Sequence, residues 1–478
     1  MRMMKYIQLF LVATLFWMCQ ANGQQTKEKG YQLDFQVTGA IKDSTAYLAN
    51  YFGKQLYYND TTIIGANGKF TFKKDRFLEP GKYAVVLQNN GIKFFEFIVE
   101  EKQVSMKTDT TDLIGNMEVI KGENNKVFYD YVRFLNDQKK EAEKLRKERD
   151  EAEKDKDKEK ITDKLIEIDK AVKAYQQDIV DDHGDLLIGQ IVNMNLDVEV
   201  PDPPKNEDGT IDSTFQYYYY KNHYFDRINL QNDALVRTPS FHNKLDQFFN
   251  KVLLQHPDTI CAAIDRLVEP LDQMSDLFKY IVNTAINNYN QSKIMGMDAV
   301  FVCLGEKYYM SGKAFWADSA TVAKIAEKVT KLSPILVGKK APYISLPDHP
   351  DKKIVDLYKV PAEFTALVFW DSGCGHCKKE MPKLKELYAK YGGKRFEVYA
   401  VGTELERDKW EKYIDEKDYN DWINVSDTPE RPHPFRTLYD IYATPKVFLL
   451  DKDKKIIAKQ IGVEQLGEIL EMELNKKK

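Results

Sequence analysis

The N-terminal part of the chain alternates between hydrophobic and polar positions. Leu33–Val37 places an apolar side chain at every second residue, which is typical of a strand with one buried face. Asn67-Gly68 and Asn89-Asn90-Gly91 each stand between two apolar runs, and such residues tolerate the positive φ of tight hairpin turns. We predict two β-hairpins at these turns and an all-β, sandwich-like domain over residues 31–120. This region contains no cluster of histidines, cysteines or acids, so we expect a structural or binding role.

Helical spacing begins near residue 124 and continues to about residue 332. Apolar residues recur at intervals of three and four positions from Phe128 to Leu145 and again from Ile161 to Tyr175. Between these stretches, Asp150 to Lys160 is almost entirely charged. Two antiparallel helices with this run at their exposed tip would explain the pattern. One long helix is the alternative, because the run contains neither glycine nor proline. We predict a mainly α-helical middle domain over residues 124–332.

Strands and helices alternate after Leu336. An apolar run predicts a buried strand that ends at Trp370, and helical spacing predicts a helix that begins at Cys374. Further elements are predicted as strands at Phe396–Val401, Lys446–Leu450 and Ile456–Ala458, and as helices at Glu404–Ile414 and Glu464–Leu474. This alternation indicates an α/β layered domain over residues 336–478. A chain of 478 residues is too long for one hydrophobic core, so we expect a multidomain protein.

The first residues and the overall charge limit where the protein acts. Basic residues precede an apolar run from Tyr6 to Cys19, and small residues follow at positions 21–23. This pattern predicts a cleaved signal peptide over residues 1–23 and therefore export. A lipid anchor at Cys19 is the less favoured alternative, because the residues at 16–18 are bulky. The net charge of −4 gives no reason to expect a nucleic-acid partner.

The strongest chemical signal is the Cys-x-x-Cys pair formed by Cys374 and Cys377, at the predicted junction of a strand and a helix. Unpaired amides and the dipole at a helix N-terminus favour a thiolate at Cys374. Cys377 lies one helical turn further on, near enough to attack a mixed disulfide formed on Cys374. This spacing predicts a reversible redox centre, for which we expect neither a cofactor nor a metal.

Other interpretations of the cysteines are weaker. Cys261 and Cys303 stand in apolar surroundings, where we expect small buried hydrophobes rather than a structural bridge or a second redox pair. An inert disulfide or a zinc site at the Cys-x-x-Cys pair is disfavoured, since a rigid bridge seldom needs a helix N-terminus and no further zinc ligands are found. A thiol peroxidase is the enzymatic alternative, but Leu367 and Asp371 stand where its proline and hydroxyl residue would fall. A partner-binding envelope scaffold with an accessory redox domain is the non-enzymatic alternative.

Residues 336–478 resemble a thioredoxin domain of the exported TlpA/ResA-like group of thiol–disulfide oxidoreductases. The matching residues occur in order along the chain: Ala341-Pro342, Phe369-Trp370, Cys374-Gly375-His376-Cys377, Glu380, Pro382 and Thr444-Pro445. The resemblance implies that Cys374 is the nucleophile, that Cys377 resolves the mixed disulfide, and that Pro445 follows a cis peptide bond and contacts substrate. It also implies protein substrates with disulfides or thiols, and an electron donor or acceptor in the membrane or periplasm. The upstream regions resemble domains of unknown function in envelope proteins of Gram-negative bacteria, which implies a periplasmic or envelope location.

One departure from the wider thioredoxin pattern concerns proton transfer. Many cytosolic thioredoxins have a buried aspartate at the position of Val368. The resemblance instead assigns the acid of the TlpA/ResA-like group to Glu380, one helical turn after Cys377. We expect burial to raise the pKa of Glu380, so that its carboxylate accepts the proton of Cys377.

Three residues around the cysteines are predicted to tune the redox potential: Trp370, Gly375 and His376. The His376 imidazole is expected to donate a hydrogen bond to the Cys374 thiolate and so stabilise the reduced form.

Overall fold

The computed structural model describes residues 30–88, 91–205, 208–393, 395–404, 406–428 and 432–476. The predicted signal peptide over residues 1–23 and the alternative lipid anchor at Cys19 lie outside these residues. The chain divides into two compact units, Met1–Gln247 and Phe248–Lys478. This division falls inside the helical domain predicted for residues 124–332, so helices of that region belong to both units. Within the described ranges, no helix is long and apolar enough to cross a membrane.

The first unit begins with a β-sandwich. Its strands are β1 (Tyr31–Thr38), β2 (Thr45–Phe52), β3 (Gln55–Ile63), β4 (Lys69–Lys74), β5 (Gly81–Gln88), β6 (Ile92–Val99), β7 (Gln103–Asp109) and β8 (Glu118–Lys121). They form two sheets with the orders β4-β1-β7-β8 and β3-β2-β5-β6. The inner faces share one core, in which the rings of Phe35 on β1 and Phe97 on β6 lie 5.2 Å apart. The predicted sandwich-like fold is confirmed.

The two predicted hairpin turns have different outcomes. β5 and β6 pair antiparallel on either side of the second turn, whose residues Asn89 and Asn90 are outside the described part of the chain. The first prediction is wrong, because β3 and β4 lie in different sheets. Asn67 and Gly68 do have positive φ, 59° and 69°, but their turn carries the chain from one sheet to the other. Residues that permit a tight turn do not specify which sheet receives the next strand.

The helices of the first unit are α1 (Glu123–Glu151), α2 (Asp155–His183), α3 (Leu187–Asn195), α4 (Phe215–His223) and α5 (Pro239–Gln247). α1 and α2 pack antiparallel, with the rings of Phe134 and Tyr175 4.3 Å apart. The Gln176 amide donates a hydrogen bond of 2.7 Å to the Tyr131 hydroxyl. Two helices, rather than one long helix, therefore occupy this stretch.

The second unit has a helical part and an α/β part. The helices of the former are α6 (Pro257–Val268), α7 (Asp276–Asn290), α8 (Asp298–Leu304) and α9 (Ser319–Leu332), with π-helical segments at Phe248–Val252 and Gly305–Met310. The latter contains β9 (Ser345–Pro347), β10 (Ile354–Asp356), β11 (Phe364–Trp370), α10 (Cys377–Tyr391), β12 (Phe396–Gly402), α11 (Arg407–Lys417), β13 (Ile423–Ser426), α12 (Phe435–Leu438), β14 (Lys446–Leu450), β15 (Ile456–Lys459) and α13 (Val463–Asn475).

The α/β part is built around β11. The sheet order is β13-β12-β11-β14-β15, with β11 parallel to β12 and antiparallel to β14. Every residue of β11 is buried, because both faces of the sheet are covered. Side chains of α10 and α13 pack on one face, and residues that include Leu346, Leu357 and Phe435 pack on the other. The predicted thioredoxin-like α/β fold is confirmed, and the end of β11 lies at its centre.

Candidate active site

A short loop joins β11 to α10 and holds the first cysteine. The Asp371 carboxylate accepts a hydrogen bond of 2.7 Å from the Gly373 amide, and the Asp371 carbonyl accepts one of 3.2 Å from the Cys374 amide. These bonds keep residues 371–376 in a turn, so α10 begins at Cys377 and not at Cys374 as predicted. The Cys374 carbonyl still accepts a 3.1 Å hydrogen bond from the Lys378 amide, so Cys374 lies directly before the helix.

The two thiols differ in exposure and in hydrogen bonding. Cys374 is half-buried, whereas Cys377 is 1% exposed in the core beneath the loop. The Cys377 amide donates to the Cys374 sulfur at 3.4 Å. The Cys374 thiol in turn lies 3.2 Å from the Thr444 carbonyl, to which it can donate. The hydrogen bond from the Cys377 amide stabilises a thiolate at Cys374. The Thr444 carbonyl accepts a hydrogen bond from Cys374 when the thiol is protonated.

The pKa of the more exposed thiol, Cys374, is lowered, whereas that of the buried thiol, Cys377, is raised. Burial acts to raise the pKa of Cys374, but hydrogen bonds from the Thr444 side chain and from the backbone amides of Cys377 and His376 outweigh it and hold that pKa below its ordinary value. Burial raises the pKa of the Cys377 thiol to about 12. Cys374 is therefore the thiol that ionises first, and Cys377 remains protonated until an acceptor takes its proton.

The loop before β14 lies opposite the cysteines. The peptide bond between Thr444 and Pro445 is cis, as the resemblance implies. Both residues line an open groove of about 580 Å³, to which Tyr442 and the candidate residues His376 and Glu380 also contribute. Three predicted site residues, His376, Glu380 and Pro445, line the groove. Cys374 lies at its edge, because its sulfur contacts the Thr444 carbonyl.

Glu380 occupies a different environment from the one predicted. One carboxylate oxygen accepts a 2.7 Å hydrogen bond from Lys383, and the other accepts one of 3.0 Å from the Val463 amide at the start of α13. These bonds, with the Lys383 ammonium first, hold the pKa of Glu380 below its ordinary value. The expectation that burial raises this pKa is wrong, because the side chain is 22% exposed and has two donors.

The predicted tuning residues contribute unequally. His376 is exposed, and the group that acts on Cys374 is its backbone amide rather than its imidazole. A side chain at Gly375 would meet no atom within 4 Å, so space does not require glycine there. Trp370 is fully buried in the same core as Cys377, with its ring 6.3 Å from that of Trp410.

Sequence reasoning missed Glu404, which lies just after β12. One carboxylate oxygen accepts a hydrogen bond from the Ser372 amide in the active-site loop. The other is buried and has no hydrogen-bond partner among the described residues. Burial raises the pKa of Glu404, and the nearby charge of Asp371 adds to that effect. A partial signal was available, because Glu404 follows a predicted strand and the carboxyl ends of adjacent parallel strands meet at one edge of a sheet, but the sequence does not show which strands are adjacent.

Residues 336–473 match the Redoxin family. Residues 144–332 and 35–128 match two domains of unknown function, DUF5106 and DUF4369. The chain is 32% identical over 140 residues to the thiol-disulfide oxidoreductase ResA of Bacillus cereus, which covers 29% of this chain and 78% of that protein. It is 39% identical over 126 residues to ResA of Oceanobacillus iheyensis, covering 25% of this chain and 62% of that protein.

A solved domain of a possible thiol-disulfide isomerase from Cytophaga hutchinsonii is 42% identical, covers 30% of this chain and 97% of its own, and has a TM-score of 0.28. The fold and the cysteine pair define the C-terminal part as a thioredoxin-like thiol–disulfide oxidoreductase domain. Through this domain the chain belongs to the ResA family of thiol-disulfide oxidoreductases.

Proposed function

We propose that the protein is an exported enzyme that exchanges the Cys374–Cys377 dithiol or disulfide with the disulfides or thiols of protein substrates. The observation that carries the proposal is the unequal environment of the two sulfurs. The half-buried Cys374 sulfur, which accepts a hydrogen bond from an amide, lies beside the buried Cys377 thiol, whose pKa is raised to about 12. Such a pair separates the attacking group from the resolving group.

Each step follows from these environments. The Cys374 thiolate attacks a substrate disulfide, forms a mixed disulfide and releases one substrate thiolate. Cys377 then loses its proton and attacks the Cys374 sulfur, which releases the second substrate thiolate and leaves the Cys374–Cys377 disulfide. Two electrons pass to the substrate. The reverse sequence oxidises a substrate dithiol, and a membrane or periplasmic partner would restore the starting state.

The groove beside the cis peptide supports a protein substrate. Its lining combines the Tyr442 ring, 77% exposed, with the polar groups of Asp440 and Gln460. An extended substrate segment in this groove would pass Pro445 and reach the Cys374 sulfur. We propose that Pro445 contacts the substrate in this way.

We propose that the Glu380 carboxylate accepts the proton that Cys377 loses. Its carboxylate is ionised because Lys383 and the Val463 amide stabilise the charge. It follows Cys377 by one helical turn on α10 and lines the groove, and we propose that one water relays the proton between the two groups. A carboxylate with a lowered pKa is a weaker base, so its contribution to the rate is modest.

Trapping of mixed disulfides tests the proposal. In the full chain, Cys377→Ala should accumulate a covalent adduct with a disulfide-containing protein such as insulin, whereas Cys374→Ala should accumulate none. Peptide mapping after alkylation identifies the linked cysteine. Preferential alkylation of Cys377 in the reduced wild type would contradict the assignment of roles.

Export is tested separately, by fractionation of a Gram-negative host and sequencing of the mature N-terminus, which should begin after Gly23.

A further inference from the structure

Cys261 and Cys303 face each other on neighbouring helices, away from the Cys-x-x-Cys pair in the sequence. Cys261 lies on α6 and Cys303 on α8, and these helices pack together within the second unit. Each thiol is the largest influence on the pKa of the other, so the two side chains lie close together. Both are free thiols, and both are half-buried rather than enclosed. The expectation that both cysteines are fully buried is wrong, because both side chains remain partly accessible.

A second set of contacts fixes the register of the two helices. Asp265 follows Cys261 by one helical turn, and Lys307 follows Cys303 by the same interval. The Lys307 ammonium forms an ion pair with the Asp265 carboxylate. The hydroxyl of Tyr308 donates a 2.7 Å hydrogen bond to the other oxygen of Asp265. The cysteine pair and the Asp265–Lys307 pair thus occupy successive positions along the same interface.

The surroundings also make the two thiols unequal. The interaction between the two thiols raises the pKa of Cys261 and lowers that of Cys303. Burial and the Asp265 charge oppose ionisation of Cys303, whereas the Lys307 charge favours it. Cys303 is therefore the thiol that ionises first and Cys261 the one that keeps its proton.

We propose that Cys261 and Cys303 form a second redox dithiol, which closes to a disulfide that ties α6 to α8. The Cys303 thiolate attacks a protein or small-molecule disulfide and releases one thiolate. Cys261 loses its proton and attacks the Cys303 sulfur, which releases the second thiolate. The dithiol loses two electrons and two protons, and the reagent disulfide becomes two thiols. This site is independent of the Cys374–Cys377 centre and does not rest on its proposed substrates.

Cysteine mapping tests the proposal on the full chain. Wild-type protein and a Cys374→Ser/Cys377→Ser variant are equilibrated with oxidised glutathione, quenched in acid, alkylated under denaturing conditions and digested with trypsin. The two cysteines fall in different tryptic peptides, 252–266 and 294–307. We expect a linked pair of these peptides, lighter by two hydrogen atoms than their sum, in both proteins. Reduction with dithiothreitol before the quench should restore alkylation of both cysteines.

Two single variants complete the test. Cys261→Ser should leave Cys303 as a glutathione mixed disulfide, because no resolving thiol remains. Cys303→Ser should give much slower glutathionylation of Cys261. The proposal is overturned if both cysteines of the folded wild type are still alkylated after equilibration, or if Cys303 stays glutathionylated while Cys261 is free. The wild-type mapping decides between these outcomes even if a single variant fails to fold.

Discussion

Two glutamates near the cysteines have opposite pKa shifts, so their effects on stability have opposite signs. The pKa of Glu380 is lowered, so its stabilising contribution is present above the ordinary glutamate pKa and is lost as the pH falls through the folded value. The pKa of Glu404 is raised, so its contribution is present below the ordinary pKa and is lost as the pH rises through the folded value.

This difference predicts the stability of two matched variants. At pH 7, Glu380→Gln should lower the free energy of unfolding by about 1 kcal/mol, because the ion pair with Lys383 is removed. Glu404→Gln should leave it unchanged or raise it, because a buried charge is removed while an acceptor for the Ser372 amide remains. Urea unfolding between pH 4 and 8 measures both. Equal changes of the same sign at pH 7 would show that the two sites do not differ in this way.

The same variants separate proton acceptance from structural support. Glu380→Gln should slow release of the mixed disulfide by about tenfold, which is less than the usual general-base contribution of about 10²–10⁴-fold, because a carboxylate with a lowered pKa is a weak base. The measurement is single-turnover reduction of a model disulfide between pH 5 and 9. If only Glu404→Gln changes the rate and its pH dependence, the proton acceptor is Glu404.

His376 is predicted to act through its amide. Its φ of −72° suits proline, so His376→Pro should fold while it removes the N–H that stabilises the Cys374 thiolate. The reduction potential should fall by tens of millivolts, where roughly 30 mV corresponds to about 1.4 kcal/mol. His376→Ala keeps the amide and should leave the potential unchanged. Equilibration with glutathione measures both, and an equal fall in the two variants would restore the imidazole as the active group.

At this scale, sequence spacing located Cys374 and Cys377 and their likeness to a known family added Pro445 and Glu380. The environment of Glu380 could not be inferred, because its partner Val463 lies on a helix 83 positions away. Glu404 was missed for a related reason. Its role depends on the pairing of β12 with β11, which a single sequence does not show.

At the scale of elements, hydrophobic periodicity distinguished strands from helices but did not show which strands pair. The strands around Asn67-Gly68 have the expected alternation and positive φ, yet they belong to different sheets. Sheet membership is set by the pairing of β4 with β1, a strand about 30 positions before the turn. The start of α10 was similarly displaced, since hydrogen bonds to Asp371 and not helical spacing decide where regular helix begins.

The helix pair α6 and α8 gives a prediction at this scale. A Cys261–Cys303 disulfide would close a loop between positions 42 apart. In a Cys374→Ser/Cys377→Ser background, its reduction should lower the free energy of unfolding by about 2–4 kcal/mol, mainly through the entropy of the unfolded chain. Urea unfolding with and without dithiothreitol measures the change. A further Cys261→Ser substitution should abolish it, and an equal effect of dithiothreitol in that variant would exclude the disulfide as its cause.

For the whole molecule, the boundary predicted near residue 336 separates two sequence patterns but not two compact units. Residues on both sides of it belong to the unit Phe248–Lys478. Lys459 on β15 is 3% exposed, and its ammonium forms an ion pair with Asp298 of α8. It also donates a 2.9 Å hydrogen bond to the Ile335 carbonyl. A buried lysine in the α/β part thus has its counter-ion in the helical part, an arrangement that composition along the chain cannot reveal.

This contact predicts that the helical part stabilises the redox domain. Asp298→Ala leaves the Lys459 ammonium buried without a carboxylate, and we expect the free energy of unfolding to fall by about 3 kcal/mol. Asp298→Ala combined with Lys459→Met should recover most of the loss, because no uncompensated charge remains. Asp351→Ala is the control, because it removes the exposed ion pair of Asp351 with Lys353. It should not measurably change the free energy of unfolding, since water already solvates both groups. Urea unfolding followed by tryptophan fluorescence measures all three. If Asp298→Ala resembles the control, the residues after 336 fold independently of the helices before them, and the boundary seen in the sequence is also the boundary in stability.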